Sequence, residues 1–329
     1  MSTLTFFYIL AGVILVWISA RNLEKYSIAS SLKFGVSPFF IGSTVIALGT
    51  SAPEIMTSLF AALEGKFNMV VGNVIGSNVA NIALVFGLTL FILAMKKEKI
   101  QSKINISSNI LTLITSTFVV CGVIIINPYS LYSSLILLSS LLAVFFLWYL
   151  KNERISTNDQ VLEEDFLLTK LTASIVILVI AAWLITKGAL EILNNFGVGE
   201  LFIGYTVLAI GTSIPEIAAS TALALKGRYE AVAGTLIGSN IFNGLLVLAI
   251  PGVINNNLFL PQSSIYSSTN TIEKLDYGYI IPLMILLLFV TILFSIYTLK
   301  INTKPKKTSL FLSLILLGSY FISLALAYK

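Results

Sequence analysis

Apolar residues in this chain run in long blocks separated by short polar breaks. Reading from break to break gives ten blocks, near residues 4–20, 37–63, 69–95, 107–126, 130–150, 167–190, 199–225, 230–251, 278–299 and 308–327. A helix needs roughly 20 apolar residues to cross the hydrocarbon core of a bilayer, so each block predicts one spanning helix. The second and seventh blocks are interrupted by Gly and Pro. The predicted fold class is an all-α integral membrane protein with ten transmembrane helices. Composition agrees: 57% of the 329 residues are hydrophobic and 11% charged, with a mean hydropathy of +0.96. Soluble domains average about 45–50% apolar and about 25% charged, so a water-soluble globule is excluded.

Charge placement adds an orientation. Ten spans sort the loops into two sets, and 16 of the 20 Lys and Arg fall in one of them. The other set holds Lys66, Lys187, Lys274 and Lys329. By the positive-inside rule the first set is cytoplasmic, which puts both termini outside. The first span is preceded by no basic residue and followed by Arg21 and Lys25, so it is expected to be retained rather than cleaved as a signal peptide. Histidine is absent, which removes His-ligated zinc, HExxH proteolysis and any His general base. Cys121 is the sole cysteine and forms no internal disulfide.

The chain repeats itself. Phe34–Asn81 aligns with Phe196–Asn243 at a constant offset of 162 without a gap, and 26 of the 48 pairs are identical. The matches include GTS-x-PEI (49–55 and 211–217) and IGSN (75–78 and 237–240). Chance similarity between apolar segments would match Leu, Val and Ile, not Gly, Thr, Pro, Glu and Asn in register. Residues 1–150 and 166–329 are therefore two five-helix repeats, joined by a polar, acidic cytoplasmic linker at 151–165. Five is odd, so the repeats enter the membrane from opposite sides. Inverted repeats with matching broken helices are a signature of secondary transporters.

Only two acidic residues lie well inside apolar spans, Glu54 and Glu216, and they are repeat equivalents. An intramembrane carboxylate costs at least a few kcal/mol and usually marks an ion path. At helical spacing Ala47, Thr50, Ser51 and Glu54 share a face. Pro53 and Pro215 cannot donate to the carbonyls of Gly49 and Gly211, which opens each helix locally. Carbonyls, hydroxyls and carboxylates are hard oxygen ligands suited to Ca²⁺ and Na⁺. The following helix of each copy adds Ser77 and Asn81, then Ser239 and Asn243. Gly72/Gly76 and Gly234/Gly238 make GxxxG steps whose plain role is close helix packing. Asn78 and Asn240 are repeated too, as ligands or as interhelical hydrogen bonders. Two carboxylates carry −2, which suits one Ca²⁺ or two Na⁺, and ions competing for one pair of carboxylates exchange rather than bind together.

These segments, GTSAPE (49–54) with GNVIGSNVAN (72–81) and GTSIPE (211–216) with GTLIGSNIFN (234–243), resemble the two alpha-repeats of the cation/calcium exchanger superfamily, and within it the prokaryotic sodium/calcium exchangers. The resemblance extends over essentially the whole chain. It implies that Glu54 and Glu216, with Thr50 and Thr212, ligate the metal ion. It adds Ser51, Ser77, Ser213, Ser239 and the carbonyls of Ala47 and Ala209, with Asn81 and Asn243 flanking the middle of the site. It further implies alternating access by sliding of the first and sixth helices, with Na⁺ entry driving Ca²⁺ out across a prokaryotic plasma membrane. Asn243 departs from the Asp that several members carry, which weakens any potassium coupling.

The expected partners are Ca²⁺, Na⁺ and the lipid bilayer. No cofactor, nucleic acid or obligate protein partner is expected. A proton/calcium exchanger is the alternative; a cation channel and an intramembrane enzyme are weaker. The stretch 255–270 reads as an external loop.

Overall fold

The computed structural model describes residues 3–32, 42–96, 107–150, 167–197, 199–225, 229–255, 275–299 and 306–328. The linker 151–165, most of the loop 255–270 and the majority of the loop lysines and arginines lie outside the described residues. The described chain is helical throughout, as the apolar blocks require: in lipid every backbone polar group must be satisfied within its own segment. In chain order the helical stretches are α1 (Thr3–Leu32), α2 (42–63), α3 (67–96), α4 (Ser107–Ile126), α5 (Leu131–Leu150), α6 (Leu167–Phe196), α7 (200–225), α8 (229–255), α9 (Tyr277–Leu299) and α10 (Lys306–Ala327).

Seven of these, among the described residues, are long and apolar enough to cross a membrane, and the bent α7 makes eight if its two arms are one span. The apolar part described for α1 is the shorter Thr5–Ser19. Outer stretches turn large apolar side chains outward, such as Phe6, Phe146, Ile285 and Phe321. On a soluble protein such a surface would be a liability; in hydrocarbon it is the lipid-facing layer.

The centre belongs to α3 and α8. Every residue of Phe67–Val79 is buried, and 83% of the apolar window of α8 is buried. The first arm of α3 packs on α7, and the first arm of α8 packs on α2. Since lipid tails are as apolar as Leu, these contacts rely on close van der Waals approach rather than on the hydrophobic effect. Glycine permits it. A methyl carbon on Gly76 would lie 2.6 Å from the Tyr205 carbonyl oxygen, and one on Gly238 would lie 2.3 Å from that of Ser43. Gly72 is tighter still, at 2.2 Å from the Leu201 carbonyl oxygen. Residues 76 and 238, and 43 and 205, are repeat equivalents, so one contact is made twice with the copies exchanged. Gly72, Gly76 and Gly238 of the GxxxG steps thus serve helix packing.

Among the described residues, four short π-helical segments interrupt the helices, at Gly42–Ile46, Ala80–Phe86, Gly204–Leu208 and Phe242–Leu246. They too start at a spacing of 162 in each pair. Such bulges concentrate at functional sites, and apolar periodicity gives no sign of them.

The two proline-bearing helices differ where the sequence expected them to match. Around Pro215 the chain leaves the helix at Ser213, with φ −81° and ψ 0°, and α7 bends by 42°. Around Pro53 the chain stays helical across Ala47–Leu63. Proline removes one donor in both places; only the second copy rotates out of the helix as well.

Alanine at Gly76 or Gly238 should force α3 from α7 or α8 from α2, costing about 1–3 kcal/mol as overpacking does. Thermal unfolding in detergent should show a clear drop for each. Gly122→Ala has no heavy atom within 4 Å to meet and should be neutral or slightly stabilising.

Candidate functional site

The site is built where α2, α3, α7 and α8 meet. Glu54 and Glu216 lie in its middle, 1% and 0% exposed. Each carboxylate faces the hydroxyl pair of the other copy: Thr212 and Ser213 stand beside Glu54, and Thr50 and Ser51 stand beside Glu216. The two carboxylates are close enough to repel each other. None of their four oxygens has a partner in hydrogen-bonding geometry, and the Lys66–Glu200 ion pair at 3.1 Å lies elsewhere.

The surrounding oxygens fall into two groups. Some are engaged: the Thr50 hydroxyl lies 3.3 Å from both the Ala47 carbonyl oxygen and Ser239 Oγ. Thr212 donates to the carbonyls of Leu208 at 2.9 Å and Ala209 at 3.5 Å. Ser77 donates to Asn73 Oδ1 at 3.3 Å. Others are free of partners although buried: Ser51 Oγ, Ser213 Oγ and the amide oxygen and nitrogen of both Asn81 and Asn243. The structure therefore brings Glu54, Glu216, Thr50, Thr212, Ser51 and Ser213 together. Ser77, Ser239, Ala47 and Ala209 line the same core through their bonds or their helix contacts. Asn81 and Asn243 are each buried within a π segment.

Native proteins leave few buried polar atoms unpaired, and each one calls for an explanation. Here eight of them are oxygens of Glu54, Glu216, Ser51, Ser213, Asn81 and Asn243. An all-oxygen set with two carboxylates fits a hard cation of one or two charges. Asn78 donates from Nδ2 to the Asn240 backbone carbonyl at 3.3 Å. It meets its own repeat equivalent, which makes it an interhelical tie.

Residues 4–150 and 166–329 match the family described as sodium/calcium exchanger protein. The chain belongs to the sodium/calcium exchanger family. It is similar to the putative antiporter CaxA of Alkalimonas amylolytica, 35% identical over 270 residues that cover 76% of this chain and 82% of the relative. It is 29% identical over 334 residues to the inner membrane protein YrbG of Escherichia coli K12, covering 97% and 95%. A solved sodium/calcium exchanger from Methanococcus jannaschii superposes with a TM-score of 0.65 at 28% identity, covering 99% of each chain. As a member of this exchanger family the chain is a helical membrane protein.

Three neighbours of the site escaped the sequence reading: Asn73, Ser58 and Thr235. Asn73 and Thr235 are the same repeat position with different residues, so a search for repeated chemistry passes over both.

If the buried carboxylates are cation ligands, they are unfavourable without a cation. Glu54→Gln and Glu216→Gln should unfold in ion-free buffer at the same temperature as the parent or higher. The parent should gain stability with Ca²⁺, by about 2.7 kcal/mol at a hundred times the dissociation constant. Both variants should lose that gain, as read by differential scanning fluorimetry.

Proposed function

We propose that this chain is a secondary active antiporter that exchanges extracellular Na⁺ for cytosolic Ca²⁺ at the Glu54–Glu216 site. The observation that carries this reading is the pair of buried carboxylates, each without a hydrogen-bond partner and each facing the Thr–Ser pair of the other repeat. A divalent cation between them cancels both charges. Two Na⁺ do the same, with Thr50, Thr212, Ser51, Ser213, Ser77, Ser239, Asn81, Asn243 and the carbonyls of Ala47 and Ala209 supplying neutral dipoles. Because one charge pair serves both ions, their occupancy is mutually exclusive. Unpartnered hydroxyls at Ser51 and Ser213 favour Na⁺ over H⁺ as the coupling ion, since protonating a carboxylate needs no further oxygen.

Alternating access needs two bodies that move past each other. In this reading the fold is two inverted five-helix repeats with both termini outside, 1–150 and 166–329, joined by the cytoplasmic linker 151–165. The long helices α1 and α6 form the moving pair, and their packing supports that assignment. Carbons built on Gly12 and Gly188 would meet Ile185 and Ile9 at 2.6 Å, and Thr5 donates to Glu191 at 2.5 Å. An empty site would carry two desolvated, unpaired carboxylates through the transition, which disfavours uncoupled leak.

Proteoliposomes loaded with Na⁺ and diluted into Na⁺-free medium, with the membrane potential clamped, should take up Ca²⁺ only when Na⁺ is inside. Glu54→Gln and Glu216→Gln should abolish that uptake. Uptake driven by a pH gradient without Na⁺ would move the chain to proton coupling. Flux requiring neither gradient would make it a channel.

A further inference from the structure

The two halves of the site have repeated ligands but unlike supports. In the first copy, Ser58, Asn73 and Ser77 are all fully buried and joined in a line. Asn73 Nδ2 donates to Ser58 Oγ at 2.9 Å, and Ser77 Oγ donates to Asn73 Oδ1 at 3.3 Å. The carboxamide spans the α2–α3 hairpin, with its NH₂ end anchored on α2 and its oxygen end accepting the hydrogen bond of Ser77 one turn on. With that proton committed, the lone pairs of Ser77 are left for a cation.

In the second copy the same positions are Ser220, Thr235 and Ser239. Threonine has one short hydroxyl where asparagine has a donor end and an acceptor end, so it cannot bridge the hairpin. The Ser220 and Thr235 hydroxyls are both buried and unpartnered. Ser239 pairs instead with Thr50 at 3.3 Å, across the α2–α8 interface. The reverse pair does not form: Thr212 donates to the carbonyls of its own helix, and Ser77 is held by Asn73.

We propose that Asn73 is a positioning residue for ion binding: it orients Ser77 from within the first hairpin, making that half of the site preorganised while Ser239 takes its orientation from the opposing repeat. A ligand held in its bound orientation gives up less freedom on binding. The inference rests on the cation-site reading above, with Ser77 as a ligand.

The test uses the purified full chain and equilibrium binding of radiolabelled Ca²⁺ in Na⁺-free detergent buffer. Asn73→Thr installs the residue the second copy already carries at this position. It should raise the Ca²⁺ dissociation constant about three- to tenfold, the worth of one neutral hydrogen bond. Ser58→Ala leaves Asn73 in place but unanchored, and should move the constant in the same direction by less. The decisive readout is a double-mutant cycle with Ser77→Ala. If Asn73 acts through Ser77, adding Asn73→Thr to Ser77→Ala changes binding by less than about twofold. A merely structural role would instead give independent effects that multiply, and that result overturns the inference. So does an unchanged constant in Asn73→Thr beside a parent that binds Ca²⁺. A parent that binds no Ca²⁺ removes the cation-site reading itself, a separate failure.

Discussion

Glu54 and Glu216 are buried in helices that bring no lysine or arginine to them, and their four oxygens have no hydrogen-bond partner. Taking an unpaired carboxylate out of water costs several kcal/mol even after relaxation, and two of them side by side add mutual repulsion. That burden accounts for much of the surrounding construction. Hydroxyls face each carboxylate from the opposite repeat, π segments reorient the backbone on either side, and the chain leaves the helix at Ser213. In the proposed reading these features present oxygen to the ion. On the cation-site reading proposed above, a bound cation stabilises the arrangement, and one ion leaves only as another replaces it.

Holding such a site together in a membrane falls to backbone contact. Gly76 against Tyr205 and Gly238 against Ser43 bring the central helices within reach of each other, and only a residue without a side chain allows it. Because the contact exchanges the copies, each repeat supplies half of the site and half of the frame for its partner. Departures from this exchange symmetry are informative for the same reason. The Ser213 break, the Asn73 bridge and the Ser239–Thr50 bond are each present in one copy alone, and together they make the two copies' halves of the site chemically unlike.

Much of this was legible in the sequence for a physical reason. A bilayer imposes long apolar blocks, and a carboxylate within one of them stands out. Duplication then printed the central residues twice, so Glu54 with Glu216 and Thr50 with Thr212 could be found without any structure. What duplication did not print stayed hidden. Asn73 and Thr235 differ, so neither drew notice. The π segments change hydrogen-bond register without changing apolar pattern. Proline gave the same signal at 53 and 215, yet the chain bends at only one, because removing a donor permits a bend and does not dictate it. Asn78 showed the opposite difficulty: it is repeated like a ligand, but its place beside Asn240 follows from the exchange contact, which spacing alone does not reveal.

In the exchange proposed above, one divalent cation sits between the two glutamates and yields that place to Na⁺. Crystals of the full chain grown with Sr²⁺, with anomalous diffraction recorded across a series of Na⁺ concentrations, test it directly. A single strong peak bonded to both Glu54 and Glu216, fading as Na⁺ rises, is the expected result. A peak elsewhere, or one at the glutamates that is indifferent to Na⁺, would rule out competition of the two ions for this site.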